Sequence, residues 1–113
     1  MALVVHADGR CEDYDIENDA AKHLEALQTF VGGSYELVRV CRGLCAYVNG
    51  MGSLINLPFN EHATAIVNNM GKKIFLVGSV VFLDDDKALS KSMRMQLDAM
   101  LDILQNHHKF ILA

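Results

Sequence analysis

The chain has no tryptophan, a single proline and only three cysteines among 113 residues. Cys11, Cys41 and Cys45 are odd in number and lack C-x-x-C spacing, which argues against a disulfide framework or a zinc ribbon and fits a reducing compartment. No apolar run approaches the ~20 residues needed to span a bilayer. The N-terminal stretch from Met1 to Asp8 has neither a basic region nor a long apolar segment. The expectation is therefore a soluble, cytoplasmic protein. Positive charge is also scarce, with 10 Lys and Arg against 14 Asp and Glu, too few to condense on phosphates without sequence preference. A net charge of -4 is equally too small for a DNA mimic. What remains is 51% hydrophobic residues, enough for one domain to bury a core. Residues 1–113 read as that single domain, with an α+β core over 1–83 and a C-terminal helix with an apolar tail over 84–113.

Turn and cap signals give the order β-β-α-β-β-α-β-α. Leu3–His6 and Cys11–Ile16 flank Asp8-Gly9, a dipeptide that tolerates positive φ, and read as a hairpin. Asn18 offers an N-cap to a helix whose apolar stripe is Ala20, Leu24, Leu27 and Val31, closed by Gly32-Gly33. Tyr35–Val40 and Leu44–Val48 are β-rich on either side of Gly43. Asn49-Gly50-Met51-Gly52 then reads as a hairpin tip leading into Ser53-Leu54-Ile55. Pro58 keeps Leu57 extended, and Asn60 caps a short helix with Ala63, Ile66, Val67 and Met70 inward. Ile74–Leu83 is the most apolar run and reads as a central strand bent at Gly78, or two strands meeting there. Asp84-Asp85-Asp86 is placed at the start of a long helix, where the macrodipole favours carboxylates. Short connections exclude a doubly wound fold and predict a two-layer sandwich of a mixed sheet with helices.

In that last helix Leu89, Met93, Leu97, Met100 and Leu104 step by 4, 4, 3 and 4, close to a heptad seam. With Phe110 in the apolar tail, these residues are the predicted oligomer interface. Catalytic signals are sparse. His107-His108 diverge on a helix, His6, His23 and His62 lie on separate elements, and no ligand spacing suggests a metal. Glu61 and His62 are helix neighbours that point apart. No G-x-S-x-G elbow, G-x-x-x-x-G-K loop or G-x-G-x-x-G loop occurs. The expectation is no enzyme, no cofactor and no metal. One anion site is conceivable, built from the amides at the Asn60 helix start and the basic residues Arg39, Arg42, Lys72 and Lys73 near sheet ends.

The middle of the chain carries a resemblance. Leu24-Glu25-Ala26-Leu27-Gln28 before Val31-Gly32-Gly33, then Tyr35-Glu36-Leu37-Val38, Leu57-Pro58-Phe59-Asn60 with Ala63-Thr64, Ile74–Gly78 and Val80-Val81 resemble a family of small uncharacterised domains encoded by bacteriophages, algal viruses and mobile elements. The likeness covers about residues 3 to 83 and leaves the last helix outside. It implies a viral or mobile-element accessory protein and maps Gly32 and Gly33 as a helix stop, with Pro58 and Asn60 at a helix start.

Together these readings predict a homo-oligomeric binding protein that interferes with host defence in the host cytoplasm. It would sequester a host protein or a small nucleotide-type ligand, the latter through Arg39, Arg42, Asn60, Thr64, Lys72 and Lys73. Two alternatives stand beside it. One is a small metal-assisted hydrolytic enzyme using Glu61 and His62 or the Asp84 cluster. The other is a regulatory protein docking on a host protein through its C-terminal helix.

Overall fold

The computed structural model describes residues 1–52, 54–85 and 87–112, with side chains described through residue 106. Eight elements follow the expected order: β1 (Ala2–Val5), β2 (Cys11–Tyr14), α1 (Ala20–Val31), β3 (Tyr35–Cys41), β4 (Leu44–Asn49), α2 (Glu61–Asn69), β5 (Val80–Leu83) and α3 (Lys91–Leu112). The α+β class holds, and the sheet is antiparallel at every ladder rather than mixed, in the order β2-β1-β5-β4-β3.

Alternation along the strands sends side chains to two separate cores. Leu3, Val5, Leu44, Ala46, Val48, Val80 and Phe82 pack under α2 and α3. Ala2, Val4, Tyr47, Val81 and Leu83 pack under Leu27 and Val31 of α1. Helices thus cover both faces, and the molecule has three layers where two were expected. The reason lies in β1, β4 and β5, whose residues are all buried. A strand covered on both sides reads as a continuous apolar run, a pattern commoner in parallel sheets.

The local signals account for most boundaries. Gly9 (φ +92°) turns β1 into β2, and Gly32 (φ +81°) ends α1 in the left-handed conformation that glycine adopts without a Cβ penalty. The cap of α1 is Asp19, one residue after the expected Asn18; its carboxylate accepts from the Ala21 and Lys22 amides at 2.9 and 3.3 Å. His23 takes the buried place on α1 that was assigned to Leu24, while Ala20 and Leu24 face outward. The second hairpin is β3–β4, turning at Arg42-Gly43. Residues 50–52 and 54–56 form turns rather than a hairpin tip, and Ser53 lies outside the described residues.

The long apolar run divides as well. Only Val80–Leu83 joins the sheet, whereas Val77 makes an isolated bridge to Phe59. The acidic triplet does not start α3: Asp84 bridges to Lys87, Asp85 has φ +53°, and Asp86 lies outside the described residues. Ser90 supplies the cap instead, accepting from the Met93 amide at 3.1 Å.

Candidate functional site

The turns after β4 are held from beneath by Asn49. Its buried amide donates to the Val31 carbonyl at 3.0 Å and accepts from the Met51 amide at 2.8 Å. Gly52 then passes so close to Val77 that a Cβ there would meet its Cγ2 at 2.9 Å. Gly78 packs on Leu57 in the same way, so these contacts hold Gly52 and Leu57 against Val77 and Gly78, while several large apolar side chains beside them face outward. Phe75 is 83% exposed and Leu54 75%. Met51, Ile55 and Phe59 are exposed with them, and the Phe59 and Phe75 rings meet edge to face at 5.9 Å. A cleft of ≈ 270 Å³ runs between this group and β3, with Glu36 and Val38 on one side and Leu54 and Phe75 on the other. A cluster of large apolar side chains in water, gathered rather than scattered, marks an interaction surface.

Among the described residues, no strand pairs with the outer side of neighbouring β3. Gly50 donates its amide to the Ser34 carbonyl at 2.9 Å, and bonded and non-bonded pairs alternate along an antiparallel ladder. Glu36 and Val38 therefore turn their backbone groups toward β4, while Tyr35, Leu37 and Arg39 turn theirs toward the free edge. A register shift between Arg39 and Cys41 ends this stretch.

The predicted ligand residues are not brought together. Arg39 lies opposite Cys45, on the face that carries α1, and pairs with Asp85 at 2.9 Å. Arg42 is exposed in the β3–β4 turn. Lys72 and Lys73 follow α2, on the other face of the sheet, and the Lys73 ammonium donates to the Asn68 carbonyl at 3.1 Å. Only these two lysines adjoin the apolar group, through Ile74 and Phe75. Asn60 is fully buried, accepting from the Ala63 amide and donating to the Val5 and Gly78 carbonyls, each at 2.8 Å. Thr64 is buried against Leu76, whose amide it binds at 2.9 Å. Both are structural, because their polar groups are already satisfied inside the fold.

The helix seam meets a similar outcome. Leu89, Met93 and Leu97 lie in the protein's own core, since the sheet face beneath α3 needs covering. Met100 and Leu104 are half-buried; with Ile103, Ala65 and Asn69 they line a cleft of ≈ 260 Å³ between α2 and α3. The Phe110 side chain lies outside the described residues. Burial raises the thiol pKa of Cys11 and of Cys41, which keeps both in the less reactive protonated form. Among the described residues no group of three or more His, Cys, Asp or Glu is placed to hold a metal ion. Nor is any described helix long and apolar enough to cross a membrane.

Two histidine arrangements escaped the sequence reading. His23 Nδ1 is 2.9 Å from the Tyr14 hydroxyl, with the two rings stacked at 5.9 Å. His6 bridges Ser79 Oγ at 2.7 Å and Glu12 Oε2 at 2.6 Å. The second unites residues 73 positions apart, and only the placement of β5 beside β1 could have announced it.

The family described as "Domain of unknown function (DUF3846)" matches residues 1–105. Neither a curated protein nor a solved structure matches the chain.

Proposed function

Because the chain belongs to this domain family, whose description gives no activity, we propose its role from its surface: a binding protein that captures a host polypeptide. The observation that carries this reading is the exposed group Met51, Leu54, Ile55, Phe59 and Phe75 beside the open edge of β3. Aromatic and methionine side chains are the residues that anchor protein interfaces. An unpaired strand edge adds main-chain hydrogen bonds to an extended segment. A nucleotide-type ligand has less support, since of the basic residues expected to hold it only Lys72 and Lys73 adjoin this surface, while Arg39 is paired with Asp85 on the other face of the sheet.

The resemblance to domains of phages, algal viruses and mobile elements supports the finer reading of a viral accessory protein acting against host defence in the host cytoplasm. Self-association finds its support in α3, where Met95 and Ile103 remain exposed. Docking through the predicted seam loses support, because Leu89, Met93 and Leu97 are buried. A metal-assisted enzyme through Glu61 and His62 is likewise poorly supported: Glu61 faces water, and His62 packs beside Gly9.

Photo-cross-linking tests the capture. With a photoreactive phenylalanine replacing Phe75, the protein expressed in its host is expected to cross-link to one discrete host protein. Leu54→Asp should abolish that product. Cross-linking no stronger than from a probe placed at Lys22, on exposed α1, would overturn the reading.

A further inference from the structure

We propose that Ser79 is a nucleophile activated by His6 and able to accept the acyl group of an activated carboxylic ester. This goes beyond partner capture and rests on a different part of the molecule. The sheet register places the residues: Val4 pairs with Val81 and Val5 with Val80, so one step further His6 lies across from Ser79. Val4 also pairs with Glu12 on the other side. Glu12 therefore shares a face with Val4 and His6 and reaches His6 diagonally, so that Glu12, His6 and Ser79 form one row of contacts across β2, β1 and the residue before β5, at 2.6 Å and 2.7 Å. Both lie within the reach required between nucleophile and base, and between base and the group that orients it.

The polarity of the row is fixed by chemistry. An ionised carboxylate can only accept, so the proton of the neutral imidazole sits on Nε2, facing Glu12. Nδ1 is then a bare lone pair, and the Ser79 hydroxyl donates to it. That is the direction of proton transfer a serine nucleophile needs. The His6 side chain is only 13% exposed, whereas that of Glu12 is 43% exposed, so the base is shielded while Ser79 stays half-buried.

The surroundings hold the pair still. The Asn60 amide donates to the carbonyls of Val5 and Gly78, the residues immediately before His6 and Ser79. Gly78 itself is turned sharply (φ +71°) and packed on Leu57. A nucleophile and base whose backbones are clamped by one buried side chain are preorganised without help from a ligand.

With an aryl ester, the Ser79 Oγ–carbon bond forms as the hydroxyl proton passes to His6 Nδ1. The bond from carbon to the leaving oxygen then breaks, and that oxygen takes the proton. Water adds to the acyl-serine, giving a proton to His6, and the carboxylic acid departs as Ser79 recovers its proton.

A fluorophosphonate probe tests this on the full chain: the Oγ–phosphorus bond forms, the phosphorus–fluorine bond breaks, fluoride leaves, and His6 takes the proton. Intact-mass analysis and peptide mapping are expected to show one adduct, at Ser79, absent from Ser79→Ala. His6→Gln should slow the reaction about 100-fold. Should His6→Gln not fold, Glu12→Gln serves in its place: it should slow labelling and, in ¹⁵N spectra of the His6 ring, erase the preference for a proton on Nε2. No adduct at Ser79 overturns the proposal. So does a labelling rate that neither His6→Gln nor a folded Glu12→Gln lowers.

Discussion

β2 and β3 are both edge strands of one sheet, yet the chain finishes them in different ways. β2 is four residues long and β3 seven. On β2, Glu12 is bound to His6 and Asp13 to Arg94 of α3, both at 2.6 Å. Short length and engaged charge are the devices by which a sheet edge is kept from pairing with another chain. On β3, Leu37 and Tyr35 are exposed, and the aromatic group around Phe75 adjoins the strand. One edge is tied into the fold by polar contacts, and the other is left apolar and open. The difference teaches that a long, apolar edge such as β3 is not the default state of a small sheet, because the same sequence keeps its opposite edge short and engages its charges.

Substitutions can break or sharpen that contrast, starting where the polar side is anchored. Asn60→Ala removes the amide that joins α2 to the backbones of β1 and of the turn before β5. It should lower stability by about 2–4 kcal/mol in urea titration, since two buried carbonyls and a helix cap lose their partner. A loss below about 1 kcal/mol would show that this end of the sheet is not held as described. Gly78→Ala should cost about 1–3 kcal/mol, because it strains a positive φ and sets a Cβ 2.8 Å from Leu57 Cδ1. Arg94→Ala, which frees Asp13 and Asp98, should cost about 0.5–1 kcal/mol, with the effect reduced at high salt. At the opposite edge, Leu37→Lys should change stability by less than about 0.5 kcal/mol, because the side chain is exposed on the outermost strand. Equal destabilisation by Leu37→Lys and Arg94→Ala would erase the contrast. The smallest effect is chemical: with thiol pKa values raised by burial, Cys11 and Cys41 should react with iodoacetamide at neutral pH more slowly than a free thiol. Their rates should rise only above the usual thiol range.

Much of this architecture was legible because its signals are local. Asp8-Gly9, Gly32, Asn60 and the apolar run ending at Leu83 each act within a few residues, and each set an element in its place. The misreadings share a non-local cause. Leu89, Met93 and Leu97 looked like a seam for a partner because their spacing is periodic, but periodicity does not say which surface a helix will cover. The answer depended on β1 and β5 lying side by side and needing a second helical layer. The same adjacency brought His6 to Ser79, a contact that no spacing in the sequence encodes. The acidic triplet misled for a related reason: carboxylates favour a helix start electrostatically, yet Asp85 was drawn to Arg39 on the far edge. The candidate surface itself was hidden in residues 51–52, 54–59 and 74–77, where apolar content suggested strands and the close packing of Gly52 and Gly78 against Val77 and Leu57 accompanies turns and irregular backbone instead.

Residue-resolved amide hydrogen exchange on the dilute protein tests the open edge most directly. The account predicts rapid exchange at Tyr35, Leu37 and Arg39 and slow exchange at Glu36 and Val38, an alternation of free and bonded amides along one strand. Uniform protection across these five residues would mean that β3 is already covered, and would contradict the claim that this edge is kept open for a partner.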